Sequence, residues 1–177
     1  MTLSAALFLA LSLIQNPQPQ SDMALTLACG EEPTELVLTI RNSGPSDTAL
    51  RLGLAFESGR WYEPRELIVE LTRSGNAQPE DLVYSGTRGV AGRIDHWIVP
   101  LPTRAAFSLT LRSSDFVSTT QPTSAARPEA LAVRLTGRAL TSELTVDMGG
   151  MKGWRVWTGS ARSNSLQLSE CSQLAAA

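Results

Sequence analysis

One histidine and two cysteines are all the imidazole and thiol chemistry in a chain of 177 residues. That scarcity excludes a disulfide-dense scaffold, most zinc sites and any catalytic arrangement needing more than one histidine. Lysine is nearly absent, and the formal net charge is −2, so nothing resembles a basic footprint for nucleic acid. No apolar run reaches the roughly 20 residues that span a bilayer. A G-x-S-x-G elbow, an H-E-x-x-H pair, a phosphate-binding P-loop and a G-x-G-x-x-G turn are all missing. No window carries a sustained 3.6-residue apolar stripe with caps, which argues against parallel βαβ units, whose crossovers need helices. With 42% hydrophobic residues the chain is not intrinsically disordered, and its length suits one domain.

The uncharged run Leu3–Ile14, LSAALFLALSLI, is 12 residues long. A secretory h-region is about 7–15 residues, so the run reads as an export signal. A retained anchor or a buried segment are the other readings. The n-region holds no Lys or Arg, and no Ala-x-Ala site follows. The polar, Pro-rich Gln15–Gln20 comes next, and the first charge is Asp22. Residues 1–21 are therefore expected to be a signal peptide and leader, cut between about residues 13 and 24, and residues 22–177 the domain. Cys29 is no lipoprotein cysteine, because Thr26 stands where Leu is needed three places before it. The expected destination is periplasmic or secreted.

The remainder alternates with a period of two. Leu36, Leu38 and Ile40 oppose Val37, Thr39 and Arg41. The same pattern recurs at Leu50, Leu52, Leu54 and Phe56, at Leu67, Val69 and Leu71, at Phe107, Leu109 and Leu111, at Leu131, Val133 and Leu135, and at Leu166 and Leu168. Each run gives one apolar and one polar face, as a half-buried antiparallel strand requires. Ala24–Cys29, Leu82–Tyr84 and Ile94–Val99 add shorter strands. Asn42–Asp47, Ser74–Asn76 and Ser85–Gly89 read as turns, the last with glycines at Gly86 and Gly89 for positions with φ > 0. Ser118–Pro128 reads as a loop within one domain. The expected fold is all-β: a single antiparallel β-sandwich, immunoglobulin-like, of about eight or nine strands.

Chemistry-bearing residues are few. His96 lies beside Asp95, but neighbours on a strand face opposite ways, so it reads as a strand histidine rather than a base with its orienter. Asp22, Asp47, Asp95, Asp115 and Asp147 lack the spacing of a Ca²⁺ loop and read as solvated carboxylates. Met148–Gly153 is Gly-rich without the strand–helix setting of a phosphate cradle. No cofactor or metal is expected. Arg41, Arg51, Arg112 and Arg134 fall on polar strand faces, where cross-strand pairing with residues such as Glu70 is expected. Trp61, Tyr62, Trp154 and Trp157 are the candidate binding residues. Exposed, they form a platform on which sugar rings stack; buried, they are sandwich core. Trp61 and Tyr62 are placed in a loop, and Trp154 and Trp157, three apart, are not both core unless a bulge intervenes.

Cys29 and Cys171 are the only thiols and stand near the two ends of the domain. In an oxidising compartment they are expected to pair, although Cys171 is out of phase with Leu166 and Leu168, so that its strand must end or bulge near Glu170. Two unpaired thiols are the alternative.

Pro100-Leu101-Pro102 ahead of Ala105–Leu111, Asn42-Ser43-Gly44 ahead of Asp47–Leu50, and the closing Val156-Trp157-Thr158-Gly159-Ser160 with Ser163-Asn164-Ser165-Leu166 resemble passages of exported bacterial β-sandwich domains of the immunoglobulin-like class. The resemblance implies that fold and export, and carries no catalytic residues. The functional expectation is a monomeric, non-enzymatic binding or envelope accessory protein. The alternatives are a carbohydrate-binding module and a protein-directed inhibitor or adhesin, so the partner is a glycan or a protein.

Overall fold

A computed structural model describes residues 22–32, 34–56, 59–76, 78–86, 92–119, 126–138 and 154–171. The expected export segment 1–21, the Gly-rich stretch Met148–Gly153, Asp147, Gly89 and residues 120–125 of the expected loop lie outside the described residues.

The fold is an all-β sandwich of mainly antiparallel sheets. The first sheet joins β1 (Met23–Cys29), β2 (Glu35–Asn42) and β8 (Ala106–Arg112), in that order. The second centres on β3 (Thr48–Phe56). On one edge β3 pairs with β7 (Ile94–Leu101); at its ends it also pairs with β4 (Trp61–Glu63) and, in parallel, with β11 (Arg155–Val156). The third sheet runs β12 (Ser160–Arg162), β10 (Pro128–Thr136), β5 (Leu67–Arg73), β6 (Glu80–Tyr84), β9 (Phe116–Ser118). The short β13 (Leu166–Gln167) also pairs with β10. Among the described residues there is no α-helix, only a 3-10 turn at Ser113–Asp115.

All nine expected strands are present, and among the described residues four more, each of two or three residues, join them. The period-two faces hold: Leu36, Leu38, Ile40, Leu67, Val69, Leu71, Leu131, Val133 and Leu135 are buried in one core. Leu54 departs from expectation and is half-buried. A register shift between Arg51 and Gly53 against β7 adds a residue to β3 and breaks the alternation there, as a bulge does. Gly86 needs no positive φ; Gly59, Gly75 and Gly92 adopt one instead. At Gly86 a Cβ would meet the Tyr84 hydroxyl at 2.4 Å, so close ring packing accounts for the glycine.

Two buried polar side chains hold the strands in register. Asn42 is fully buried, and its Nδ2 donates to the carbonyls of Ser46 (2.8 Å) and Leu101 (2.9 Å), while Oδ1 accepts from Gly44 N (3.0 Å). The expected Asn42–Asp47 turn is thus closed by its first side chain. Ser163 Oγ accepts from Val133 N at 2.9 Å, and the neighbouring Asn164 accepts from Leu27 N (2.8 Å) and donates to Leu27 O (3.1 Å). Asn164 thereby supplies β1 with the donor–acceptor pair of an absent strand.

Cys29 and Cys171 form a disulfide, with Cα atoms 5.7 Å apart. The chain reaches this geometry because β13 ends at Gln167 and residues 168–170 turn, freeing Cys171 from strand phase.

Candidate functional site

The three sheets meet at an aromatic groove. Phe56 ends β3, and two residues after the Gly59 turn the chain returns as β4, pairing Trp61 with Phe56 and Tyr62 with Ala55. The sequence places Trp61 and Tyr62 in a loop; in the structure they belong to a short strand paired over three residues with β3. Gly53 permits that approach: a Cβ there would lie 1.9 Å from the Glu63 carbonyl oxygen. The edge position of β4 leaves Trp61 46% and Tyr62 49% exposed.

Opposite β4 runs β8, an edge strand of its sheet. Between them lie two adjoining cavities of about 360 and 400 Å³, which share Tyr62, Pro64, Thr110 and Leu111. Phe56, Trp61, Tyr62, Tyr84 and Phe116 line the first, and Tyr62, Trp97 and Phe107 the second. Seven of the chain's ten aromatic residues therefore converge here. Their rings brace one another: Tyr62 and Trp97 are tilted with centroids 4.8 Å apart, Trp97 and Phe107 meet edge to face at 6.3 Å, and Tyr84 and Phe116 do so at 5.7 Å. Such contacts fix ring orientation beyond what burial alone does.

The polar lining of the first cavity is Glu35, Glu63, Thr110, Arg112 and Asp115. Glu63 is buried, and its carboxylate accepts from Arg65 Nε at 2.7 Å. Glu35 and Arg112 face each other across β2 and β8, with Nε and Oε1 3.8 Å apart. Asp115 is half-buried at the 3-10 turn, and its backbone carbonyl accepts from Ser85 N at 2.8 Å.

The other candidate residues lie elsewhere. Trp157 is a correction to the four-residue platform: at 3% exposure it belongs to the core. A Cβ at Gly137 would lie 2.5 Å from its Cε3, and one at Gly159 3.0 Å from its Cζ2, so two glycines clear the space that the indole fills. Trp154 is half-buried, just ahead of β11. His96 sits half-buried on β7, and burial first, then the charge of Arg51, lowers its pKa. Its Nδ1 is buried without a hydrogen-bond partner, and Asp95 instead accepts from Arg93 at 2.7 Å. The pair is no base and orienter.

Nothing in the sequence singles out Tyr84, Trp97, Phe107, Phe116 and Asp115 as groove residues. Only their alternation and aromaticity are visible there, and these mark strands. No family model matches the chain, and no curated protein or solved structure matches it.

Proposed function

We propose that this chain is an exported, non-enzymatic binding module whose ligand is a glycan seated in the groove between β4 and β8. The observation that carries this reading is the composition of the lining: half-exposed Trp61 and Tyr62 beside carboxylates and a guanidinium. Aromatic faces stack on the C–H faces of sugar rings, and carboxylate and guanidinium groups hydrogen-bond ring hydroxyls. Cavities of about 300–1,000 Å³ with mostly apolar walls and a few placed polar groups are usual for small ligands. The Cys29–Cys171 disulfide supports export, since such bonds persist in oxidising compartments. Among the described residues no helix is long and apolar enough to cross a membrane.

A glycan array is the direct test. Wild-type protein is expected to retain a defined subset of glycans, and Trp61→Ala and Tyr62→Ala to lose them with the circular dichroism spectrum unchanged. Retention of the same glycans by both variants defeats the reading. A second reading, capture of an extended polypeptide, has in its favour that β8 lies at a sheet edge with no further strand paired to it among the described residues. It predicts that bound peptide slows amide exchange along Ala106–Arg112, which a stacked sugar does not require.

A further inference from the structure

We infer that the groove selects its ligand by charge, taking an amino sugar in preference to a neutral one and turning away acidic sugars. This rests on the glycan reading above and adds the class of sugar. Three acidic residues, Glu35, Glu63 and Asp115, line the first cavity against one arginine, Arg112. Glu63 is compensated by Arg65, whose Nε lies 2.7 Å from its carboxylate. Glu35 has Arg112 at 3.8 Å, a loose pair whose arginine side chain is 58% exposed. The Asp115 carboxylate has no cationic partner among the described residues. Among the described residues, Asp115 is thus the acidic lining residue left for the ligand to match.

The aromatic rings add to the same preference. A ring face is the negative pole of its quadrupole, so an ammonium over Trp61, Tyr62 or Tyr84 is attracted, and a carboxylate there is repelled. A protonated amine on a stacked sugar answers both features together. A uronic acid sets its carboxylate against Asp115 and against the ring faces. A neutral sugar keeps the stacking and gains nothing from Asp115 beyond a hydrogen bond.

The test is calorimetric titration of the disulfide-bonded protein with three oligosaccharides of equal length, built from glucosamine, N-acetylglucosamine and galacturonic acid, at a pH where the amine is protonated. The glucosamine oligomer is expected to bind on the order of fivefold to tenfold more tightly than the neutral one, as one partly screened charge contact gives. The galacturonate oligomer is expected to bind most weakly. Asp115→Asn is expected to bring the amino-to-neutral ratio within about twofold of unity. That change spares the Asp115 carbonyl that holds Ser85, so the turn is kept. An unchanged ratio in Asp115→Asn overturns the inference, as does galacturonate binding as tight as the neutral oligomer. If the neutral oligomer binds with no preference for the amine, the charge inference falls and the glycan reading stands. If none of the three binds, and the array is also blank, both fall.

Discussion

Trp157 and Trp61 show how little residue identity says about residue role. Trp157 fills the core between Gly137 and Gly159, whereas Trp61 lies half-exposed on an edge strand. The W-T-G passage is thereby a packing device: the glycine is where a side chain would strike the indole. Likewise the following S-N pair is a stitch, joining β10 through Ser163 and β1 through Asn164. Trp157→Ala is expected to destabilise the fold by about 3–5 kcal/mol, the usual cost of emptying a large buried aromatic site. Trp61→Ala is expected to cost roughly 1 kcal/mol or less, because much of its surface already meets water. Urea denaturation of both variants checks the difference, and comparable losses would contradict the separation of core and groove.

Strands of the third sheet are tied on their outer face by a charge network centred on Glu70 of β5. Arg134 of β10 donates to Glu70 Oε1 at 2.9 Å and to Asp81 of β6 at 2.6 Å; Arg162 of β12 donates to Glu70 Oε2 at 2.5 Å. Four consecutive strands are linked by these two arginines and two acids. Burial by itself raises the Glu70 pKa, but hydrogen bonds from Arg162 and Arg134, with their charges, outweigh it and hold the carboxyl below its ordinary value of 4.5. The folded state therefore binds that proton less readily than the unfolded chain. The resulting stability is fully present above the ordinary carboxylate range and is lost as pH falls through the folded-state pKa. Glu80 acts in the same direction, held down by hydrogen bonds from Ser118 and then Arg73. Glu70→Gln is expected to lose about 1–3 kcal/mol at neutral pH, the scale of a charged hydrogen bond. The gap to wild type should close on acidification, as the wild-type carboxyl is itself protonated. Urea midpoints measured from neutral to acidic pH test this, and a gap independent of pH would count against it.

At the scale of the whole molecule, Cys29 and Cys171 close a loop with a sequence separation of 142 and join the end of β1 to the chain after β13. Cross-linking so long a loop removes chain entropy from the unfolded state, with an upper bound of roughly 5 kcal/mol. Reduction, or the double change Cys29→Ser with Cys171→Ser, is expected to lower stability by about 2–4 kcal/mol. Thiol titration of the unfolded, unreduced protein should find no free thiol. Two free thiols per chain, or an unchanged denaturation midpoint after reduction, would exclude this role.

Alternation is a local property, and it is what the sequence by itself determined. Glu35–Asn42 is a strand over the full span read from its pattern, because each apolar side chain needs only to know which face its neighbours take. The strands Trp61–Glu63, Phe116–Ser118, Arg155–Val156 and Ser160–Arg162 have two or three residues, too few to show a period, and their pairing partners order them. The disulfide was legible because only two thiols exist, but the turn that brings Cys171 into reach was visible only as a break in phase. Of the four aromatic candidates, Trp61 and Tyr62 reach the groove and Trp157 does not. Sequence spacing cannot separate them, since Trp157 is drawn inward by glycines at Gly137 and Gly159, on both sides of it in the chain. The groove itself belongs to tertiary structure alone. It is assembled where β2, β3, β4, β6, β7, β8 and β9 from all three sheets converge, and no local pattern encodes which strand edges will face one another.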